Sequence, residues 1–111
     1  MIEILILNYL KDVGFQAYME MPKNTPSFPF VIIEKTGSSK ENQIETSTIA
    51  IQSYASSLYE AAELNEDIKA SMEDAVVVDE ITRVSLNSDY NFTDTETKRY
   101  RYQAVFDITH Y

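Results

Sequence analysis

The chain has 111 residues, enough for one hydrophobic core but not two, and its 44% hydrophobic and 12% aromatic content excludes a disordered polymer. Eighteen acidic against nine basic side chains leave a net charge of −9, which disfavours free binding to a phosphate backbone. With no cysteine, the chain can hold neither a disulfide framework nor a thiolate zinc site, and it suits a reducing compartment.

Met1 to Leu7 is almost wholly apolar, but it carries Glu3, has no basic residue ahead of it and ends at Asn8. It is too short for a membrane span and lacks the layout of a secretory signal, so a soluble protein made in the cytoplasm is expected. Ile2, Leu5, Ile6, Tyr9, Leu10 and Val13 recur at helical spacing up to Gly14, which predicts an amphipathic helix ending there. Phe15, Ala17 and Met19 then alternate with Gln16, Tyr18 and Glu20, a short strand closed by Pro22, and Pro22 to Pro29 reads as a loop. Phe30-Val-Ile-Ile33 is apolar on both faces, the mark of a strand covered on both sides. Thr36 to Gln43 is polar, contains Gly37 and reads as a mobile hairpin tip. Alternation returns from Ile44 to Ala55, with Ile49, Ile51 and Ala55 on one face and Thr48, Ala50, Gln52 and Tyr54 on the other.

Ser57 and Glu60 match a capping box at the start of a second helix. Leu58, Ala61, Ala62, Leu64, Ile68 and Met72 form its expected buried stripe, and acids at Glu73 and Asp74 oppose the helix dipole, so the final turn should fray. Val76 to Val78 begins another extended segment, continued by Ile81, Val84 and Leu86 to about Tyr90. After the polar turn from Asn91 to Lys98 comes the best-patterned strand of the chain. Arg99, Arg101, Gln103, Asp107 and Thr109 fall on one face, and Tyr100, Tyr102, Ala104, Phe106 and Ile108 fall on the other, which is assigned to the core. The sum is a single α+β domain over residues 1–111, in the order helix-strand-strand-strand-helix-strand-strand, with a mostly antiparallel sheet and helices packed on it.

No cluster of residues announces catalysis. The single histidine, His110, reads as a surface residue without an orienting partner. Ser38, Ser39 and Lys40 could pose as a Ser/Lys nucleophilic pair, but a loop tip gives the lysine nothing to desolvate it. Asp89, Asn91 and Thr93 mimic the start of a calcium loop, which breaks down at Asp94, where a Gly is needed, and at Tyr100, where a Glu is needed. Asp79 and Glu80 are adjacent on a strand and point to opposite faces, so they form no carboxylate pair. Gly14 and Gly37 are isolated and make no phosphate-binding loop. Lys98-Arg-Tyr-Arg-Tyr102 invites comparison with the RNA-stacking strand of an RRM but lacks its glycine. No metal or cofactor is expected.

Three stretches carry a family resemblance through their order and spacing. They are Pro29-Phe-Val-Ile-Ile-Glu-Lys-Thr-Gly37 before a polar loop; Ile49-Ala-Ile-Gln-Ser-Tyr-Ala55 running straight into Ser57-Leu-Tyr-Glu-Ala-Ala62; and Tyr90 with Asp94, Thr97 and Arg99-Tyr100 ahead of the closing strand. On these the chain resembles the tail terminator, or tail-completion, proteins of long-tailed (siphovirus-type) bacteriophages, departing from them in its sparse glycine. The resemblance implies a non-enzymatic subunit that forms a hexameric ring, caps the tail tube, stops its polymerisation and offers a surface for head joining. Its implied partners are further copies of itself, the tail tube protein and a head-tail connector or head-completion protein. DNA only passes through the ring channel, where excess acid would repel it, and no membrane is involved. Its implied place is the virion tail, after synthesis in the bacterial host cytoplasm, and assembly on a template is compatible with a monomer in solution.

Rings need contacts between different patches of one subunit, which an acidic helix and a basic strand start can supply. The candidate assembly contacts are Thr36, Gly37, Ser38, Ser39, Lys40, Glu41, Asn42 and Gln43 at the hairpin tip, ordered on assembly, together with Arg99 and Arg101. The two arginines are expected to pair with carboxylates, within the fold or across a subunit boundary. Two other readings stand beside this one: a head-closure or neck protein, and a single-stranded nucleic-acid-binding module using Tyr100, Arg101 and Tyr102.

Overall fold

The computed structural model describes residues 1–111 as α1 (Ile2–Asp12), β1 (Ala17–Tyr18), β2 (Phe30–Glu41), β3 (Ile44–Ala55), α2 (Leu58–Glu73), a 3₁₀ turn (Asp74–Val77), β4 (Ile81–Asn91) and β5 (Tyr100–His110). The strands make one sheet in the order β1-β2-β3-β5-β4, antiparallel except for the parallel β1–β2 pair. The α+β class and the element order are those expected from the sequence.

Local chemistry accounts for the element ends. α1 buries Ile2, Ile6 and Leu10 along one stripe and stops where Gly14 takes a φ of +110°, a conformation that L side chains resist. The Tyr9 hydroxyl donates to the Ser71 carbonyl at 2.6 Å, tying α1 to the end of α2. Burial, and behind it the charge of Asp74, holds the Tyr9 phenol above its ordinary pKa, so it remains a donor. At the start of α2, Ser57 accepts the Glu60 amide at 3.2 Å, but the Glu60 carboxylate takes the Ser56 hydroxyl, so only half of the expected capping box forms.

Several expectations are corrected. Thr36 to Glu41 is not a loop: it continues β2 against β3 across an irregularity between Lys35 and Gly37, and only Asn42 and Gln43 remain as the turn. Their φ values of 52° and 67° meet the demand of a two-residue type I′ hairpin. A hairpin end exposed on both faces needs no apolar alternation, which is why composition read as loop. The end of α2 does not fray but tightens into the 3₁₀ turn, burying Ala75. Val76 and Val77 therefore lie exposed in that turn, Asp79 and Glu80 lie in the next one and not on a strand, and β4 begins only at Ile81. The buried stripe of α2 starts at Ala61 and includes Asn65, leaving Leu58 exposed in the first turn.

The main core of 16 buried residues lies between the two helices and the sheet face carrying Val31, Ile33, Ile49, Ile51, Ala104, Phe106 and Ile108. Tyr100 and Tyr102 share that face but stay half-buried at its end, outside the main core, opposite Ala55 and Ser53. On the other face, which carries no helix, Phe30, Ile32 and Tyr54 form a separate buried cluster beneath Tyr18 and Met21. No helix is long and apolar enough to cross a membrane.

Candidate functional site

The helix-free face is built by the alternation of β3 and β5. Thr48, Ala50, Gln52 and Tyr54 point to it from one strand, opposite Asp107, Val105, Gln103 and Arg101 on the other. Its middle is a hydroxyl and amide surface closed by cross-strand bonds. Thr48 donates to Asp107 Oδ1 at 3.0 Å, Asn87 donates to Asp107 Oδ2 at 3.1 Å, and Gln52 donates to Gln103 Oε1 at 2.9 Å.

At the end of this face where β5 begins, aromatic rings and one guanidinium form a ladder across the strands. Phe28 stacks on Phe30 with centroids 5.6 Å apart, and Phe30 stacks on Tyr54 at 4.9 Å. The Arg101 guanidinium continues the series, 5.6 Å from the Tyr54 centroid and 4.5 Å from that of Phe92, which meets Tyr90 edge to face at 5.9 Å. Arg101 Nε donates to the Phe92 carbonyl at 2.6 Å and Nη1 donates to the Tyr54 hydroxyl at 2.8 Å. Within the chain no carboxylate lies at ion-pair distance from Arg101, which meets rings, a hydroxyl and a carbonyl instead; the ion pairs between charged side chains are those of Lys69 with Glu66 and Asp89. The two ends of the ladder remain open to solvent, with Phe28 45%, Tyr90 42% and Phe92 39% exposed. Such a mix of rings and arginine is the composition of interface anchors.

The predicted contacts do not converge. Thr36 to Gln43 lies at the end of the sheet where Glu45 pairs with His110, whereas Arg101 pairs with Tyr54 at the other end. At roughly 3.3 Å per residue along β3, Arg101 is about 20 Å from Thr36 and about 30 Å from the tip at Glu41 to Gln43. Tyr100 and Tyr102 face the helices while Arg101 faces away, so the three cannot form one stacking platform. Phe28, Tyr54, Tyr90 and Phe92 had no signal in the sequence beyond being aromatic, because their meeting depends on cross-strand register.

Lys98 and Arg99 stand exposed in the turn before β5, Lys98 at a φ of +54°. Asp94 builds that turn by accepting the Glu96 amide at 3.0 Å and the Thr97 amide at 3.4 Å. Hydrogen bonding from Thr97, then from the Glu96 amide, holds its carboxyl below the ordinary pKa.

His110 corrects the expectation of a surface histidine, for it is only 4% exposed. Its Nε2 lies 2.8 Å from Ser47 Oγ and 3.8 Å from Glu45, and Nδ1 lies 3.2 Å from the Tyr111 carbonyl. A proton on Nδ1 satisfies that carbonyl and leaves Nε2 to accept from Ser47. A nucleophile relay would need the acid on Nδ1 and an open serine, but Glu45 sits on the Nε2 side and Ser47 is fully buried. The arrangement locks β3 to β5.

On the helix side, Asp89 accepts from Asn65 at 2.9 Å and from Lys69 at 3.0 Å, and Lys69 also pairs with Glu66 at 2.9 Å. Hydrogen bonding to Glu66 first, and to Asp89 second, raises the Lys69 pKa. The calcium-like Asp89 is thus occupied by α2. A groove of about 550 Å³ runs beside this cluster between α2 and β4, lined by Glu66, Lys69, Ala70, Glu73, Val84, Leu86 and Phe106. A depression of about 380 Å³ opens near the start of α2, lined by Phe28, Pro29, Ser56, Glu60, Glu63, Leu64 and Asp67. Neither a family model nor a curated protein matches the chain.

Proposed function

We propose that this protein is a tail terminator or tail-completion subunit, a non-enzymatic component of the virion tail. Copies form a hexameric ring that caps the tail tube, ends its polymerisation and joins it to the head through a connector or head-completion protein, with DNA passing through the channel. The reading began from the order of the motifs around Pro29 to Gly37, Ile49 to Ala62 and Tyr90 to Tyr100. The observation that carries it further is the helix-free sheet face with its partly exposed ladder of rings and one guanidinium. Exposed apolar surface of this kind marks a subunit made to be covered by another protein. The hairpin around Asn42 and Gln43 and the aromatic end of the face lie at opposite ends of the long strands, so one subunit can address two different partners.

Electron microscopy of tails assembled without this protein tests the proposal. Overlong, irregular tubes are expected, and tubes of normal length refute termination. Binding to purified tail tubes, as opposed to filled heads, separates a terminator from a head-closure or neck protein.

A further inference from the structure

The sheet ends in two open edges that carry opposite charge. In the strand order β4 stands last on one side, and no strand pairs with its outer edge. On the other side β1 covers β2 only at Val31 and Ile32, so β2 is bare from Ile33 to Glu41. Such edges display backbone donors and acceptors ready to pair with another chain. Lys35 lies opposite Ile49 of the core, and Lys40 lies opposite Glu45, four residues along β3 and so on the same, helix-bearing face. Both lysines are exposed and have no carboxylate at ion-pair distance. Beside β4 on that face lies the groove of about 550 Å³, lined by Val84, Leu86 and Phe106, with Glu66 and Glu73 on its helix wall. Glu73 has no basic partner, Glu66 has only Lys69, and Leu86 is 46% exposed.

We infer that β4 of one copy pairs antiparallel with the outer half of β2 of a second copy, laying Lys35 and Lys40 over the groove between α2 and β4. Within one chain β2 and β4 run in opposite directions, so a second copy set alongside in the same orientation offers its β2 antiparallel to β4, with the helices on one face throughout. The register through β3 and β5 fixes the levels: Gly37 is level with Ser85, Ser38 with Val84, Lys35 with Leu86 and Lys40 with Ile81. In a ring whose axis runs along the strands, copies share these levels, and for that placement alone the inference rests on the ring reading. β1 of the second copy takes the edge position level with Tyr90 and Asn91, so pairing stops at the irregularity between Leu86 and Ser88, where a bulge bends the strand. Charge selects this pairing over two-fold ones. Two copies of β4 side by side would oppose Glu66 and Glu73 to themselves, and two copies of β2 would oppose the lysines, whereas β4 against β2 joins cations to carboxylates. The lysine stems then cover Val84 and Leu86.

The chain has no cysteine, so a Gly37→Cys/Ser85→Cys variant of the full chain carries one thiol on each edge and keeps every charge. Within one chain β3 and β5 separate the two thiols by about 14 Å, beyond the reach of an intramolecular disulfide. Mild oxidation is expected to give a ladder of dimers, trimers and higher multimers that collapses on reduction. A Gly37→Cys/Thr95→Cys pair, with its second thiol in the turn beyond the far end of β4, should give none. Lys35, Lys40 and Glu73 make no side-chain bond within the fold, so reversing them leaves it intact. Adding Lys35→Glu/Lys40→Glu, or Glu73→Lys, to the reporting pair should cut the multimers by about tenfold. Mixing the two charge-reversed proteins should restore them, because each reversed edge then meets its complement. Absence of the ladder, equal laddering by the Thr95 pair, or a ladder indifferent to charge reversal overturns the contact. A ladder alongside tails of normal length would retain the edge pairing and reject the terminator role. Overlong tails without a ladder would do the reverse.

Discussion

Lys69 shows how a single side chain can organise a seam. It bridges Glu66 on its own helix and Asp89 on β4, and Asp89 in turn holds the otherwise buried amide of Asn65. Lys69→Met should cost about 1 kcal/mol in urea unfolding, a modest figure because water still reaches the pair. Its folded pKa lies above the ordinary lysine value, so the contribution is fully present below that value and is lost as pH climbs through the raised one. The stability gap between wild type and variant should stay flat across neutral pH and shrink only in strong alkali. None of this was legible beforehand: Asp89 read as a broken calcium loop, and its partner lies 20 residues away on another element.

Elements were legible where their periodicity is local and misread where solvent lies on both sides. α1 and β3 needed only their own apolar spacing, and β3 spans Ile44–Ala55 as expected. The outer half of β2 has no such spacing and read as a loop, although β3 pairs with it as far as Glu41 opposite Ile44. The turn between them holds Gln43 at a φ of 67°, which glycine adopts without a side-chain penalty. Gln43→Gly, which creates the favoured Asn-Gly turn, should stabilise the fold by about 1 kcal/mol, seen as a higher urea midpoint with unchanged slope. A lower midpoint would mean that the Gln43 side chain makes a contact worth more than the strain.

For the whole molecule, charge and topology act together. The net charge of −9 is concentrated partly on α2, where Glu60, Glu63, Glu66 and Asp67 face only Lys69 among basic residues of that helix. Glu63→Gln should raise the stability of the isolated chain by roughly 0.5 kcal/mol by relieving like-charge neighbours. A gain in melting temperature would show that these crowded acids do not serve the stability of the fold. A loss of stability would mean that Glu63 already has a partner within the fold.

Composition and periodicity were enough for the α+β class, the element order and most of the stripe of α1, since each depends on residues a few positions apart, although Val13, counted in that stripe, caps the helix half exposed. The fate of the most conspicuous side chains lay beyond them. Arg101 meets Tyr54 across 47 positions, and His110 meets Ser47 across 63. An arginine that seemed destined for a carboxylate stacks between rings, and a histidine that seemed exposed is sealed against a serine. Both outcomes follow from the pairing of β3 with β5, because a shift of one residue would turn every one of these side chains to the other face of the sheet. Register is a property of strands already assembled, and it determines which face the helices cover and which face is left for a partner.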